Sequence, residues 1–428
     1  NNALHNDRAY YWTDLGLQDK GYTYDYFSSY TFMDDEVNVS DGQINSDGVA
    51  YKAVVVMEDE LPLDAAKKLK EAAENGLPVL FVNNVVEHPN NSDVDKVNTI
   101  AASTTGCNDG KDEELAAVID EIKALDNVKT IDSCEEALDA LSELGVTPRA
   151  ENVESNHKIL TNMRKADDAT YLYAYNYMYE DEEAYSGQIS VEGSYQPYIL
   201  DTWSGKVTKV TDAVCEDGRT ILNVTLDPGE TALYILNPAE EAVTEKVTTE
   251  STDLQLTDWS LTVDSYTPGE KLERTETNED TGVTTTEVTY DTNHEEIDAG
   301  TLTDLVSWKD IDSIGDNVSG IGTYTTTFTL PDDFDAKTQN VEFKADSFNY
   351  GTAMITVNDQ KVSVDMDTAK ADITDAVKPG ENTISVRVTS SLCNVVRDYE
   401  PVFWITEDTE PADYGMTGKT VVTITTTK

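Results

Sequence analysis

Four groups of residues in this chain have types and spacings that could do chemistry. Asn394 and Arg397 lie in the stretch Asn394-Val395-Val396-Arg397-Asp398-Tyr399, with Trp404 just beyond it. An amide, a guanidinium and an indole together can hold the hydroxyls and the C–H face of a sugar, or can dock a neighbouring domain. The alternating row Tyr171, Tyr173, Tyr175 and Tyr177 offers flat faces on which pyranose rings could stack. Ser103-Thr104-Thr105-Gly106 falls between an expected strand and a helix, where backbone N–H groups and hydroxyls could cradle a phosphate. The fourth group is the pool of Asp and Glu, from which the pairs used in general acid–base catalysis could be drawn.

Each group also has a plainer structural reading. The stretch around Asn394 can be a loop held by its own hydrogen bonds or docked on a neighbouring domain. A tyrosine row on one strand face commonly packs between sheets or domains, with its hydroxyls reaching water. Ser103–Gly106 belongs to no GxGxxG or GxxxxGK[ST] pattern and sits in acidic surroundings, which favours a simple surface loop. With 83 Asp and Glu in the chain, carboxylate pairs of the kind that cleave glycosidic bonds arise by chance. Runs such as Glu180-Asp181-Glu182-Glu183 read as solvated surface. The four histidines, His5, His88, His157 and His294, are scattered, with no HExxH and no GxSxG, so metallohydrolase and serine hydrolase chemistry are set aside. No catalytic residue is assigned. No cofactor is expected; Ca²⁺ is the one ion that acidic sandwich loops would take, although no EF-hand spacing is present.

Charge narrows the partners. Lys plus Arg number 30, which leaves a net charge of −53 over 428 residues. Nucleic acid and anionic membranes would be repelled. No apolar run approaches the roughly eighteen residues of a membrane span, so membrane insertion is not expected. Cys107, Cys134, Cys215 and Cys393 are far apart without a CxxC, and all four are expected to be free thiols. The chain opens Asn1-Asn2-Ala3-Leu4 rather than with Met, which reads as a mature or excised piece of a longer precursor.

Three segments must position these groups. Residues 1–150 read as α/β: strands at Ala53–Met57, Val79–Val82 and Val128–Ile131 alternate with helices at Leu63–Asn75, at Asp112–Leu125 and after Ser133. That alternation implies a doubly wound, mostly parallel sheet. Tyr10–Lys20 reads as a helix with no strand before it, so the first strand is expected upstream of residue 1. Residues 151–247 read as a small antiparallel sandwich, with strands at Lys158–Asn162, Ala169–Tyr177, Thr220–Leu226 and Thr231–Leu236, and turns at Asp201–Lys206 and Asp227-Pro228-Gly229-Glu230. Ala239–Asp253, rich in Thr and Glu, reads as a linker or crossing strand. Residues 248–428 read as a second all-β sandwich, a jelly roll, with a polar hairpin at Thr275–Asp291.

Three pieces in this order resemble one family. Trp12–Leu17, Gly21–Phe27, Tyr51–Val56 and Gly76–Val79 look like the amidotransferase-like α/β domain that follows the catalytic barrel of large α-L-rhamnosidase-like glycoside hydrolases. Tyr171–Asn176, Asp201–Gly205 and Leu226–Thr231 are similar to the small sandwich after it. Leu256–Leu261, Trp308, Asn317–Pro331, Val357–Val362 and Ala371–Thr383 are similar to the terminal galactose-binding-like jelly roll, a module shared with β-galactosidase and β-glucuronidase relatives. The resemblance implies a non-catalytic C-terminal region of a secreted or cell-surface bacterial enzyme. It places catalysis in an upstream barrel of the same precursor and makes a polysaccharide or glycan the other partner. It carries no ligand role onto Asn394, Arg397 or Trp404. The alternative is a cell-surface structural or adhesive protein built from sandwich modules; a free-standing enzyme working in the α/β domain is a third reading.

Overall fold

The computed structural model describes residues 16–48, 50–57, 61–82, 85–86, 97–98, 109–132, 134–166, 169–181, 183–239, 249–279, 281–399 and 409–427. The chain forms two units, one of residues 1–200 and 207–244, the other of residues 201–206 and 245–428.

The first unit begins with the expected α/β layer. Strands β1 (Val54–Val56), β2 (Val79–Val82) and β3 (Val128–Ile131) pair in parallel in the order β1-β2-β3. Helix α1 (Leu17–Lys20) is the described part of the segment expected to be helical from Tyr10; residues before 16 lie outside the described set. Helices α2 (Leu63–Glu74) and α3 (Asp112–Lys123) bury Leu69, Leu115 and Ile119 against Val79 and Phe81 on one sheet face. Helix α4 (Ala137–Glu143) and Leu17 cover Leu80 and Val82 on the other. Because β2 is buried on both sides, its sequence Val-Leu-Phe-Val shows no alternation.

The same unit continues into a sandwich. Its strands are β4 (Ala150–Asn152), β5 (Ile159–Lys165), β6 (Thr170–Asn176), β7 (Tyr185–Glu192), β8 (Tyr195–Leu200), β9 (Val207–Lys209), β10 (Val214–Glu216), β11 (Arg219–Leu226) and β12 (Thr231–Pro238). They form sheets of order β9-β8-β12-β6-β5 and β10-β11-β7-β4. Strict alternation in β6 sends Leu172, Ala174 and Asn176 into the core. Tyr171, Tyr173 and Tyr175 therefore face outward, away from the other sheet. The Asp227–Glu230 turn joins β11 to β12, with Gly229 at φ +80° and Glu230 N–H donating to the Asp227 carbonyl at 3.0 Å.

The second unit is a two-sheet sandwich. One sheet has the order β13-β22-β17-β20, from β13 (Thr249–Leu256), β17 (Gln339–Ser347), β20 (Lys370–Asp372) and β22 (Thr417–Thr427). The other runs β15-β14-β16-β21-β18-β19, from β14 (Trp259–Thr277), β15 (Thr284–Leu302), β16 (Gly320–Leu330), β18 (Ala353–Val357), β19 (Gln360–Val362) and β21 (Gly380–Thr389). Alternate residues of β16 and β21, among them Tyr324, Phe328, Ile384 and Val386, interleave with Val341, Phe343 and Val422 of the facing sheet.

Two sequence expectations are refined here. Thr249–Asp253, read as part of a linker or crossing strand, takes the second form: it is the first half of β13 and pairs with β22 from Thr249↔Thr427 onward; residues 240–248 lie outside the described set. The hairpin expected at Thr275–Asp291 is the distal part of a much longer ribbon. β14 pairs with β16 only over Ser260–Ser265. From Thr267 to Thr277 it pairs with β15 alone, an arm of roughly 35 Å at the usual strand rise.

Candidate functional site

The stretch expected to leave the second sandwich as a polar loop is a short helix, α5 (Cys393–Tyr399). It follows β21, and its side chains reach back to the segment before β22. Asn394, 3% exposed, clamps one residue: its Nδ2 donates to the Ala412 carbonyl at 2.9 Å, and its Oδ1 accepts from the Ala412 N–H at 2.8 Å. Arg397, 8% exposed, donates from Nη1 to the Thr409 carbonyl at 3.0 Å and from Nη2 to Asn317 Oδ1 at 2.9 Å. Asp316 Oδ2 lies 3.7 Å from Nη2. Arg397 Nε is buried without a hydrogen-bond partner among the described residues. Trp404, the third residue of the expected group, lies outside the described residues. The structure thus brings Asn394 and Arg397 together as pins for residues 409–414. Asn394 thus uses both its amide nitrogen and its amide oxygen on one backbone residue.

Beside this cluster is an arrangement that the sequence marked only as a motif. Trp308, 1% exposed, points its indole Nε1–H at the Tyr324 hydroxyl, 2.8 Å away. The Met416 N–H donates to the same oxygen at 3.1 Å. Burial pushes the Tyr324 phenol up to about 12, partly offset by these two donors. Space for the indole comes from two glycines. A Cβ on Gly322 would lie 2.5 Å from the indole ring, and one on Gly415, at φ +88°, would lie 2.3 Å from both Trp308 Nε1 and the Tyr324 hydroxyl. The Gly-Ile-Gly-Thr-Tyr stretch is therefore built around Trp308.

The second resembling stretch has a similar explanation. Asn358 and Asp359, at φ +47° and +67°, form the two-residue turn between β18 and β19. Asn358 Nδ2 donates to Asn382 Oδ1 at 2.7 Å, and Asn382 Nδ2 donates to the Lys378 and Gly380 carbonyls at 2.8 and 2.9 Å. These side chains shape turns and have little capacity left for a ligand.

Other groups singled out in the sequence do not converge. His294 is exposed, its ring centroid 4.4 Å from that of Tyr266 with the planes tilted by 59°, and Asp264 Oδ1 lies 3.1 Å from its Nδ1. His157 is exposed; His5, His88, Cys107 and Ser103–Gly106 lie outside the described residues. Cys215 and Cys393 are free thiols. Among the described residues, no three His, Cys, Asp or Glu side chains are grouped to hold a metal ion. No described helix is long and apolar enough to cross a membrane.

Comparison with known proteins is informative at the level of fold. No family model and no curated protein matches the sequence. Among solved structures, a rhamnosidase from Novosphingobium sp. PP1Y superposes with a TM-score of 0.65 at 16% identity, covering 94% of this chain and 36% of the rhamnosidase. The chain shares the fold of the part of that enzyme it matches, and it spans about a third of the enzyme's length. An FMN-binding β-glucuronidase from Faecalibacterium prausnitzii L2-6 matches 41% of this chain and 23% of its own, with 17% identity and a TM-score of 0.24. An α-L-rhamnosidase from Dictyoglomus thermophilum matches 60% of this chain and 25% of its own, with 9% identity and a TM-score of 0.17. At those two scores the likeness carries no weight.

Proposed function

We propose that this chain is the non-catalytic C-terminal region of a secreted bacterial glycoside hydrolase of the α-L-rhamnosidase type. In this reading the α/β layer is the amidotransferase-like domain and the second unit is the galactose-binding-like jelly roll. Their role is to support a catalytic barrel of the same precursor, whose substrate is a glycan. The observation that carries the reading is the likeness to the Novosphingobium rhamnosidase, which takes in 94% of this chain and only 36% of that one. Two described residues support it further, because Asn394 and Arg397, which the sequence offered for sugar binding, are engaged in holding residues 409–412.

The test is direct. The purified chain is incubated with an aryl α-L-rhamnoside and release of the phenol is followed. No turnover above buffer is expected; turnover that tracks with the protein through purification refutes the non-catalytic reading. Extending the coding sequence upstream of Asn1 is expected to reveal a barrel. A series of repeated sandwich modules there would refute the accessory reading in favour of a surface adhesin.

A further inference from the structure

The two outward faces of the first unit's sandwich are chemically unlike. On the sheet β10-β11-β7-β4 the outward positions hold polar pairs, with Ser186 bonded to Thr225 at 3.2 Å and Gln188 to Asn223 at 2.9 Å, and charges of both signs at Glu151, Glu192 and Arg219, beside one apolar residue, Ile221. That is an ordinary solvated face. On the sheet β9-β8-β12-β6-β5, one outward row runs Lys209, Tyr198, Ile235, Tyr171, Arg164 from edge to edge. In the next row Tyr173 lies between Leu233 and Asn162. Tyr173 is 40% exposed, and its ring centroid is 6.4 Å from that of Tyr175 with the planes 35° apart. The tyrosines therefore form a continuous aromatic strip along β6, one strand in from the edge.

Charge on this face departs sharply from the rest of the chain. Asp and Glu make up 83 of the 428 residues, yet none of the five strands contains either. Their charged residues are Arg164, Lys165 and Lys209, all cationic. Arg164 forms no ion pair or hydrogen bond among the described residues, in a protein where carboxylates outnumber cations by 83 to 30. It stands directly across from Tyr171, and Asn162 stands across from Tyr173 with its amide exposed.

We infer that this face is a binding platform for a uronate-bearing oligosaccharide. Sugar rings present C–H groups to a flat aromatic face, and Tyr171, Tyr173 and Tyr175 supply such faces in series. A guanidinium binds a carboxylate in fork geometry, and Arg164 is placed one strand from the row to do so. Asn162 donates to and accepts from ring hydroxyls alongside. The lack of Asp and Glu within these five strands lowers the repulsion that an anionic ligand would meet elsewhere on this chain, although Asp167 and Asp168 stand in the connection between β5 and β6. A homodimer through this face fits less well, because the strip is narrower than the 20–30 residues per side of a typical stable interface.

The probe is tetragalacturonate, with galactotetraose as its neutral counterpart, each titrated calorimetrically into the intact chain. Tetragalacturonate is expected to bind, and to bind more tightly than the neutral tetramer. Tyr173→Ala should weaken binding at least five-fold. Arg164→Gln should remove the preference for the acidic tetramer and lower the salt dependence; this exposed substitution also serves should Tyr173→Ala unfold, as judged by circular dichroism. Equal binding of the two tetramers overturns the uronate assignment. No binding, or binding unchanged in both variants, overturns the platform. The ligand class rests on the glycan-related reading above, but hydrolysis plays no part in the titration. Turnover of the rhamnoside would refute the accessory role and leave the binding result standing, and failure to bind would leave the accessory role untouched.

Discussion

Replacing Tyr324 with Phe removes a single oxygen from the core of the second unit and leaves the ring volume unchanged. That oxygen accepts from Trp308 Nε1–H at 2.8 Å and from Met416 N–H at 3.1 Å. Trp308 and Met416 are 1% and 0% exposed, so water cannot replace the lost acceptor without disturbing the packing. Each buried donor left unpaired costs about 1–3 kcal/mol. The expected loss is therefore about 2–6 kcal/mol, with no cavity term because the ring remains. For a unit of this size, each kcal/mol lowers the melting temperature by about 2–4 °C, so a fall of roughly 4–24 °C should be seen by differential scanning calorimetry. A double-mutant cycle with Trp308→Phe isolates the indole–hydroxyl bond, because the smaller ring at 308 affects both backgrounds alike. Its coupling is expected at about 1–2 kcal/mol. If Tyr324→Phe stays within about 0.5 kcal/mol of the parent, the hydroxyl is not the acceptor on which those two donors depend.

Two further outcomes follow from features described above. Burial pushes the Tyr22, Tyr234 and Tyr324 phenols from the usual tyrosine range near 10 up to about 12, so they are harder to ionise folded than unfolded. Stability should be fully present below about pH 10 and fall as pH rises from there towards 12, with phenolate absorbance from these residues appearing only as unfolding proceeds; early phenolate signal from all tyrosines without loss of structure would contradict their burial. Replacing residues 268–292 of the ribbon with a short turn should shift melting by no more than about 1 °C, since that arm pairs only with itself and its side chains are largely exposed; a fall above 5 °C would mean that the arm holds the sandwich together.

The elements legible in the sequence were those with one buried face or two. Helix α3 spaces Leu115, Val118, Ile119 and Ile122 along a single stripe, and the structure buries those four. The ribbon was under-read because Thr267 to Thr277 faces solvent almost entirely, so nothing distinguished core positions from outer ones. Alternation in β6 was plain, but alternation does not say which face points inward; small Ala174 and polar Asn176 mark the core side, which the conspicuous tyrosines obscured. Asn394 and Arg397 were found as a polar cluster by composition. Two of their partners, the backbones of Ala412 and Thr409, are groups that every residue carries, and a third, the Asn317 side chain, lies 80 residues away, so no local pattern could announce them. Trp308 and Gly415 are far apart in the chain, and only the fold shows that one makes room for the other.

The placement of β22 has a consequence for how the second unit is made. This strand lies between β13 and β17, inside its sheet, and pairs with both along nearly its whole length. Its partner β13 is the earliest strand of the unit, so the pairing Thr249↔Thr427 closes almost the full span of the sandwich. During synthesis that sheet has a gap at its centre until β22 leaves the ribosome, and β13 has no neighbour to pair with before then. The opposite sheet, joined through β16 and β21, can assemble earlier, with its apolar inner face uncovered while it waits. Such long-range closure makes folding slow relative to local hairpins. It also leaves the apolar inner faces of a nascent chain exposed to wrong partners until β22 arrives.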